Sequence, residues 1–231
     1  MKILALDTST NACSAALLLD NESIQRHQIA PQEHSNLILP MIDGLMAEAG
    51  ISLSALDAIA FGRGPGSFVG VRIAASVTQG IAFAGELPVV AVSSLAALAQ
   101  GSQIEKTLVA FDARMAEVYW GAYCRNEQNI VELLAAEVVC KPEEVSYPQN
   151  SDMMDWTGIG TGWDSYKEAL SKRMPEVAVK SEILYPEAKN IAILGAYSYQ
   201  LGEIIGAQDV HPVYIRNQVV RNYQSNPLNL V

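Results

Sequence analysis

Apolar and polar positions along the chain change period several times, and each change marks an element. KILALD and ACSAALLLD are apolar runs separated by the polar turn TSTN, and a DNE turn leads into SIQRHQIA, so three strands are predicted first. From Ser35 to about Ala49 the period lengthens to that of a helix, with Ser35 a candidate cap, Gly50 the stop and Pro40 near the first turn. Its apolar positions, Leu37, Ile38, Met41, Ile42, Leu45, Met46 and Ala49, form a stripe broader than one core face needs. A strand over 57–62, a helix over 68–84, the strand PVVAVS and a short helix SLAALAQ follow. Strands alternating with helices imply crossovers and an α/β layer.

The pattern resets near Gly101. TLVAFDARMAEVYWGAYC predicts a strand, a turn that begins at Asp112 and a second strand, and NIVELLAAEVVC supplies a third. DWTGIG, a helix over 163–171, a long helix over 188–205 and an irregular tail from HPVYIRN complete the reading. LALDTSTNACSAAL and VAFDARMAEVYWGAY share an apolar strand ending in Asp, a short turn and a second strand. Any two hairpins look alike to this degree. Because the repeat heads each half of the chain, two related lobes are expected, over 1–103 and 104–206, with the tail 207–231 returning to the first.

Composition narrows the class. Half of the 231 residues are hydrophobic and 17% are charged, which fits a globular chain. The formal charge is −10, from 25 acidic and 15 basic residues, so an independent nucleic-acid binder is disfavoured and any RNA is expected to be reached through a partner. Cys13, Cys124 and Cys140 are scattered, which reads as reduced thiols in the cytoplasm. The N-terminal apolar run meets Asp7 too soon for a signal peptide, and the best membrane-span candidate, 68–85, carries Arg72, Ser76, Thr78 and Gln79 and reads as a buried helix.

The candidate chemistry centres on AFGRGPGSFVGVRIA. A glycine-rich turn opening a helix can cradle phosphate, because free N–H groups and the helix dipole converge there. No Gly-Lys-Ser/Thr follows, and Gly64, Gly66 and Gly70 do not space as a dinucleotide fingerprint. The structural reading has Pro65-Gly66 forming a type II turn and Ser67 capping the helix, and it is favoured. Asp7, Thr8 and Ser9 form a polar tip that could hold metal and phosphate in a phosphotransferase, although turns choose such residues for their own bonding. Helix 68–84 is apolar or small nearly all round, with Gly70, Ala74 and Thr78 spaced by four, so it is expected to be buried on every side, in part by a second protein. His27, His34 and His211 are dispersed with no ligand spacing; His34, just before the first helix, has a contact role as its alternative reading.

LALDTSTNACSAAL, AFGRGPGSFVGVRIA, FDARMAEVYW and the late PVYIR together resemble the TsaB (YeaZ) family over essentially the whole chain. The resemblance implies a two-lobed actin-like, sugar-kinase and Hsp70 ATPase (ASKHA) fold, degenerate, each lobe opening with a three-stranded meander. It also implies a role in making N6-threonylcarbamoyladenosine beside the tRNA anticodon. TsaD relatives carry an H-x-x-x-H metal motif; the matching positions here are Ser94 and Leu98, which cannot hold a metal, and no late Gly-rich helix start follows Gly162. The resemblance therefore implies partnership without catalysis: a scaffold that binds TsaD directly and TsaE through that pair, with tRNA touched only indirectly and no metal or cofactor. His34, Leu37, Ile38, Met41, Ile42, Leu45, Phe68, Val69, Gly70, Arg72, Ile73, Ala74, Val77 and Ile81 are the expected partner face, and a homodimer is expected in isolation. Asp7, Thr8, Ser9, Gly64, Gly66 and Ser67 remain as residual nucleotide-pocket candidates. The alternatives are a small ATP-dependent phosphotransferase using Asp7, and a glycoprotease-like metallopeptidase.

Overall fold

Strand β1, Lys2–Asp7, shows how the fold is built: Ile3 and Ala5 point to one side of a sheet, Leu4 and Leu6 to the other, and all four are fully buried. A strand apolar on both faces belongs in the middle of a covered sheet. The computed structural model describes residues 1–20, 22–149, 154–182 and 184–216. Around β1 stand β2 (Ala12–Leu19), β3 (Glu22–Ile29), β4 (Ala58–Gly62) and β5 (Val89–Val92), in the order β3-β2-β1-β4-β5. The pairs β1–β2 and β2–β3 are antiparallel, while β1–β4 and β4–β5 are parallel. Helices α1 (His34–Ala49) and α2 (Phe68–Gly85) connect them, and α3 (Ser94–Ser102) leads from β5 into the second half.

The second half repeats this order. Strands β6 (Lys106–Asp112), β7 (Val118–Arg125), β8 (Val131–Leu133), β9 (Val138–Cys140), β10 (Thr157–Ile159) and β11 (Ala178–Lys180) form a sheet β11-β10-β6-β7-β8, with β9 also on β7. Here β6–β7 and β7–β8 are antiparallel, and β6–β10 and β10–β11 parallel. Helices α4 (Thr161–Ser165) and α5 (Lys167–Arg173) lie on one face of it, around Trp120, Trp156 and Trp163. The last helix, α6 (Ala188–Gln200), packs on β1, β2 and β4 and against α3, which in turn packs on β6, β7 and β8. The layers therefore run α1 and α2, first sheet, α6 and α3, second sheet, α4 and α5.

Several local expectations change. Helix α1 begins at His34 after Glu33, so Ser35 lies inside it and does not cap it. Pro40 is likewise interior; both it and Asn36, whose carbonyl it leaves without its usual N–H, are exposed, so water can take the acceptor. The turn before α2 is not type II, because the positive φ falls on Gly64, at 96°, and not on Gly66. NIVELLAAEVVC gives two short strands, and the 163–171 helix is two helices broken at Tyr166. Helix α6 stops at Gln200, after which Gly202 turns the chain with φ 79° and Ile205 bridges to Val89. The expected second lobe to 206 thus includes a helix that packs on the first sheet. Of the tail, Val210 enters the first sheet's core and Val213 bonds to Arg63; residues 217–231 lie outside the described residues.

Candidate functional site

The Asp7 turn and the glycine loop meet backbone to backbone. Asp7 is fully buried at the end of β1, where its Oδ1 accepts from the Ser9 N–H and hydroxyl, each at 2.9 Å. Its Oδ2 accepts from the Ser94 hydroxyl at 3.0 Å. The Thr8 hydroxyl donates to the Gly70 carbonyl at 2.7 Å, and the Ser67 N–H to the Ser9 carbonyl at 2.6 Å. A Cβ on Gly66 would sit 2.2 Å from the Ser9 oxygen, and one on Gly70 2.0 Å from the Thr8 oxygen. These glycines are therefore required by contact with the turn. Ser67 caps α2, its Oγ accepting from the Gly70 N–H at 3.3 Å.

Burial pushes the Asp7 carboxyl up to about 6, against the lowering effect of its hydrogen bonds to Ser9 and Ser94 and of the nearby His34. Ser94 is buried on Asp7 and Leu98 packs in the core beside α6. Among the described residues no three His, Cys, Asp or Glu side chains converge as a metal cluster.

A cleft of ≈ 640 Å³ opens between the two sheets. Ser9, Gly66 and Ser67 line it, whereas Asp7, Thr8 and Gly64 stand behind that wall. The facing wall brings Asp112 and Arg114 from the second Asp turn, and the tail brings Tyr214 and Arg216. Asp112 Oδ1 accepts from the Arg114 N–H at 2.8 Å and the Tyr166 hydroxyl at 2.9 Å, and its Oδ2 pairs with Arg114 Nη1 at 3.1 Å. Arg216 pairs with Glu117 at 2.5 Å and donates to the Ala113 carbonyl at 3.1 Å. Glu117 could be read from the sequence as a candidate partner of Asp112, but it pairs with Arg216 while Asp112 pairs with Arg114; Arg216 had no signal of its own beyond the PVYIR block. Arg72, expected on the partner face, lies 3.4 Å over the Phe68 ring and 5.3 Å from that of Tyr214.

The expected partner face divides in two. His34, Ile38, Ile42, Leu45, Gly70 and Ala74 are buried, packed inward. His34 is thus not a surface contact, and its Nε2 has no hydrogen-bond partner among the described residues. The Gly70–Ala74–Thr78 stripe faces its own sheet, and the described residues bury only that side of α2. Phe68, Val69 and Arg72 are exposed, and Leu37, Met41, Ile73, Val77 and Ile81 half-buried. One apolar residue of this face, Phe83, 80% exposed, was not among the expected ones, and Leu39, 53% exposed, lies on the other flank of α1 from Leu37 and Met41. Ser76, Gly80 and Ala84 lie on the exposed side as well, again at spacing four. α2 alone among the described helices is long and apolar enough to cross a membrane by length and composition, but its inner face is packed on the first sheet.

A pair of like-ordered α/β sheets, a cleft walled by the chain's own turns and an uncovered apolar helix face define a two-sheet protein built from a repeated unit. The family model for TsaD, tRNA N6-adenosine threonylcarbamoyltransferase, matches residues 18–219. The chain is 39% identical to the tRNA threonylcarbamoyladenosine biosynthesis protein TsaB of Escherichia coli, over 95% of this chain and 96% of that one. It is also 39% identical to TsaB of Haemophilus influenzae, over 95% of each. YeaZ from Pseudomonas aeruginosa superposes with a TM-score of 0.84 at 46% identity, over 92% of this chain and 99% of that one. A second solved structure, described as an uncharacterized protein with similarity to peptidase YeaZ from the same organism, gives 0.85 at 45%, over 93% and 99%. The chain belongs to the TsaB (YeaZ) family.

Proposed function

We propose that this chain serves threonylcarbamoyladenosine biosynthesis on tRNA as a noncatalytic subunit that binds TsaD and supports its transfer of the threonylcarbamoyl group. The observation that carries the reading is the outer face of α2, where Phe68, Val69 and Phe83 stay 54%, 63% and 80% exposed on a helix whose other face is core. Exposed apolar patches on a folded chain mark sites that another surface covers. Leu37 and Met41, half-buried on one flank of α1, add apolar surface next to the first core, and Ser76, Gly80 and Ala84 let a partner helix approach closely. TsaD is the expected occupant, TsaE joins the assembled pair, and a second copy takes the same face when TsaD is absent. The ASKHA fold, the 1–103 and 104–206 lobes and a cytoplasmic location belong to the same proposal, favoured by the matching order of the two sheets and by the relatives' names.

The noncatalytic reading is favoured by the fate of Asp7. A phosphotransferase would need this carboxylate on the cleft, and here it is walled off by Ser9 and Ser94. The ≈ 640 Å³ cleft is the one observation that favours the phosphotransferase alternative. Calorimetry with ATP and magnesium on the isolated chain separates the two; heat that disappears in Asp7→Ala supports the phosphotransferase. Reconstituting tRNA modification with TsaD and its other partners, with and without this chain, tests the leading reading. Activity is expected only with it, and full activity on omission contradicts the proposal.

A further inference from the structure

The turn between β6 and β7 holds three consecutive non-glycine residues in the left-handed region: Arg114 at φ 61°, Met115 at 56° and Ala116 at 58°. Residues with a Cβ avoid that region, and such a run persists only where its surroundings over-determine it. Part of the hold is local. The Arg114 N–H donates to Asp112, the Glu117 N–H to the Arg114 carbonyl at 3.1 Å, and the Ala113 N–H to the Glu117 carbonyl at 3.0 Å. The rest comes from one residue about a hundred positions away. Arg216 Nη2 donates to the Ala113 carbonyl and pairs with the Glu117 carboxylate, while Nη1 lies 2.7 Å from the Met115 sulfur. With its side chain only 13% exposed, this guanidinium is screened far less than a surface cation.

The same stretch of chain is fastened to the first sheet a few residues earlier. Val210 is buried in that sheet's core, and the Val213 N–H donates to the Arg63 carbonyl of the glycine loop at 2.9 Å. Tyr214 then lies against Phe68, ring centres 6.1 Å apart, and beside Arg72. We propose that segment 210–216 is a strap between the two sheets that sets the width of the cleft, with Arg216 as the positioning residue that holds turn 113–117 in its left-handed form. The strap brings together the glycine loop, the FDARMAEVYW turn and the PVYIR tail, three sequence blocks that the partner face leaves largely unexplained. It does not depend on TsaD being the partner, since every contact lies within this chain.

If the strap is one unit, releasing one end must loosen the other. Amide hydrogen exchange on the full chain reads both ends at once. In Arg216→Ala, exchange at Ala113, Arg114 and Glu117 is expected to speed up by about tenfold or more, and exchange at Val213 to rise with it, while the β6 and β7 amides stay protected. A faster turn with unchanged protection at Val213 would show a local clamp and overturn the proposal, as would no change at either end. Should Arg216→Ala fail to fold by circular dichroism, Glu117→Gln carries the test. It removes the charge but keeps an acceptor, and the same linked rise at the turn and Val213 is expected on a smaller scale. Loosening of the turn alone in that variant overturns the strap.

Discussion

Helix α2 has two faces that both carry apolar and small residues and meet opposite fates. The inner face, Gly70, Val71, Ala74, Ala75, Thr78 and Ala82, is buried against the first sheet and the Asp7 turn. The outer face carries residues as apolar or larger, Phe68, Val69 and Phe83, and among the described residues they stay more than half exposed, Phe68 with Arg72 and Tyr214 against its ring. Small residues line both sides at the same spacing, so size does not separate them. What separates them is closeness: Gly70 is under contact that no side chain would fit, whereas a Cβ on Gly80 would meet nothing within 4 Å. The inner face therefore governs folding, and the outer face is the one on which the proposed partner would dock.

Substitutions should split along that line. The largest effect on stability is expected from Ala74→Arg, which forces a charge into a position with 0% exposure. A loss above about 4 kcal/mol, seen as an unfolded chain by circular dichroism, is the expected outcome. Asp7→Asn comes next, with the opposite sign. The folded-state carboxyl is raised from 3.8 to about 6, so its favourable contribution is complete below pH 4 and lost as pH rises through 6. Removing the charge should stabilise the fold by up to about 3 kcal/mol at pH 8 and by little at pH 4. Urea titrations at the two pH values check this; a pH-independent difference would mean that Asp7 is not the titrating group. Gly70→Ala should cost about 1–3 kcal/mol, because the added carbon meets the Thr8 carbonyl. Thermal melts measure it. Val69→Arg, on the outer face, should change stability by no more than about 0.5 kcal/mol.

Much of this was legible in the sequence. The apolar runs of β1, β2 and β4 and the cap at Ser67 are local signals, and they appear where periodicity placed them. The family was legible as well, because its blocks are contiguous. Strand β11 was not, since Ala178, Val179 and Lys180 are all exposed and show no alternation. The split of α4 from α5 falls at Tyr166, whose hydroxyl reaches Asp112 across many residues of sequence, a pairing that no local pattern displays. The broad stripe of α1 was seen but misassigned: Ile38, Ile42 and Leu45 face β2 and the first core, and only packing decides which edge of a wide stripe turns outward. Asp7 and Asp112 end equivalent strands with the same motif, yet one is sealed by Ser9 beside it and by Ser94 and the glycine loop from distant segments, and the other faces the cleft. Arg216 escaped notice because its partners, Ala113, Met115 and Glu117, are brought to it only by the fold.

The central claim is that the outer face of α2 receives TsaD. Its most direct test is the affinity of the Val69→Arg chain for TsaD, measured by calorimetry beside the native chain at matched thermal stability. Because Val69 is 63% exposed and carries no core contact, the account predicts a folded variant that has lost binding by about a hundredfold or more. Native affinity in a folded Val69→Arg chain would contradict it.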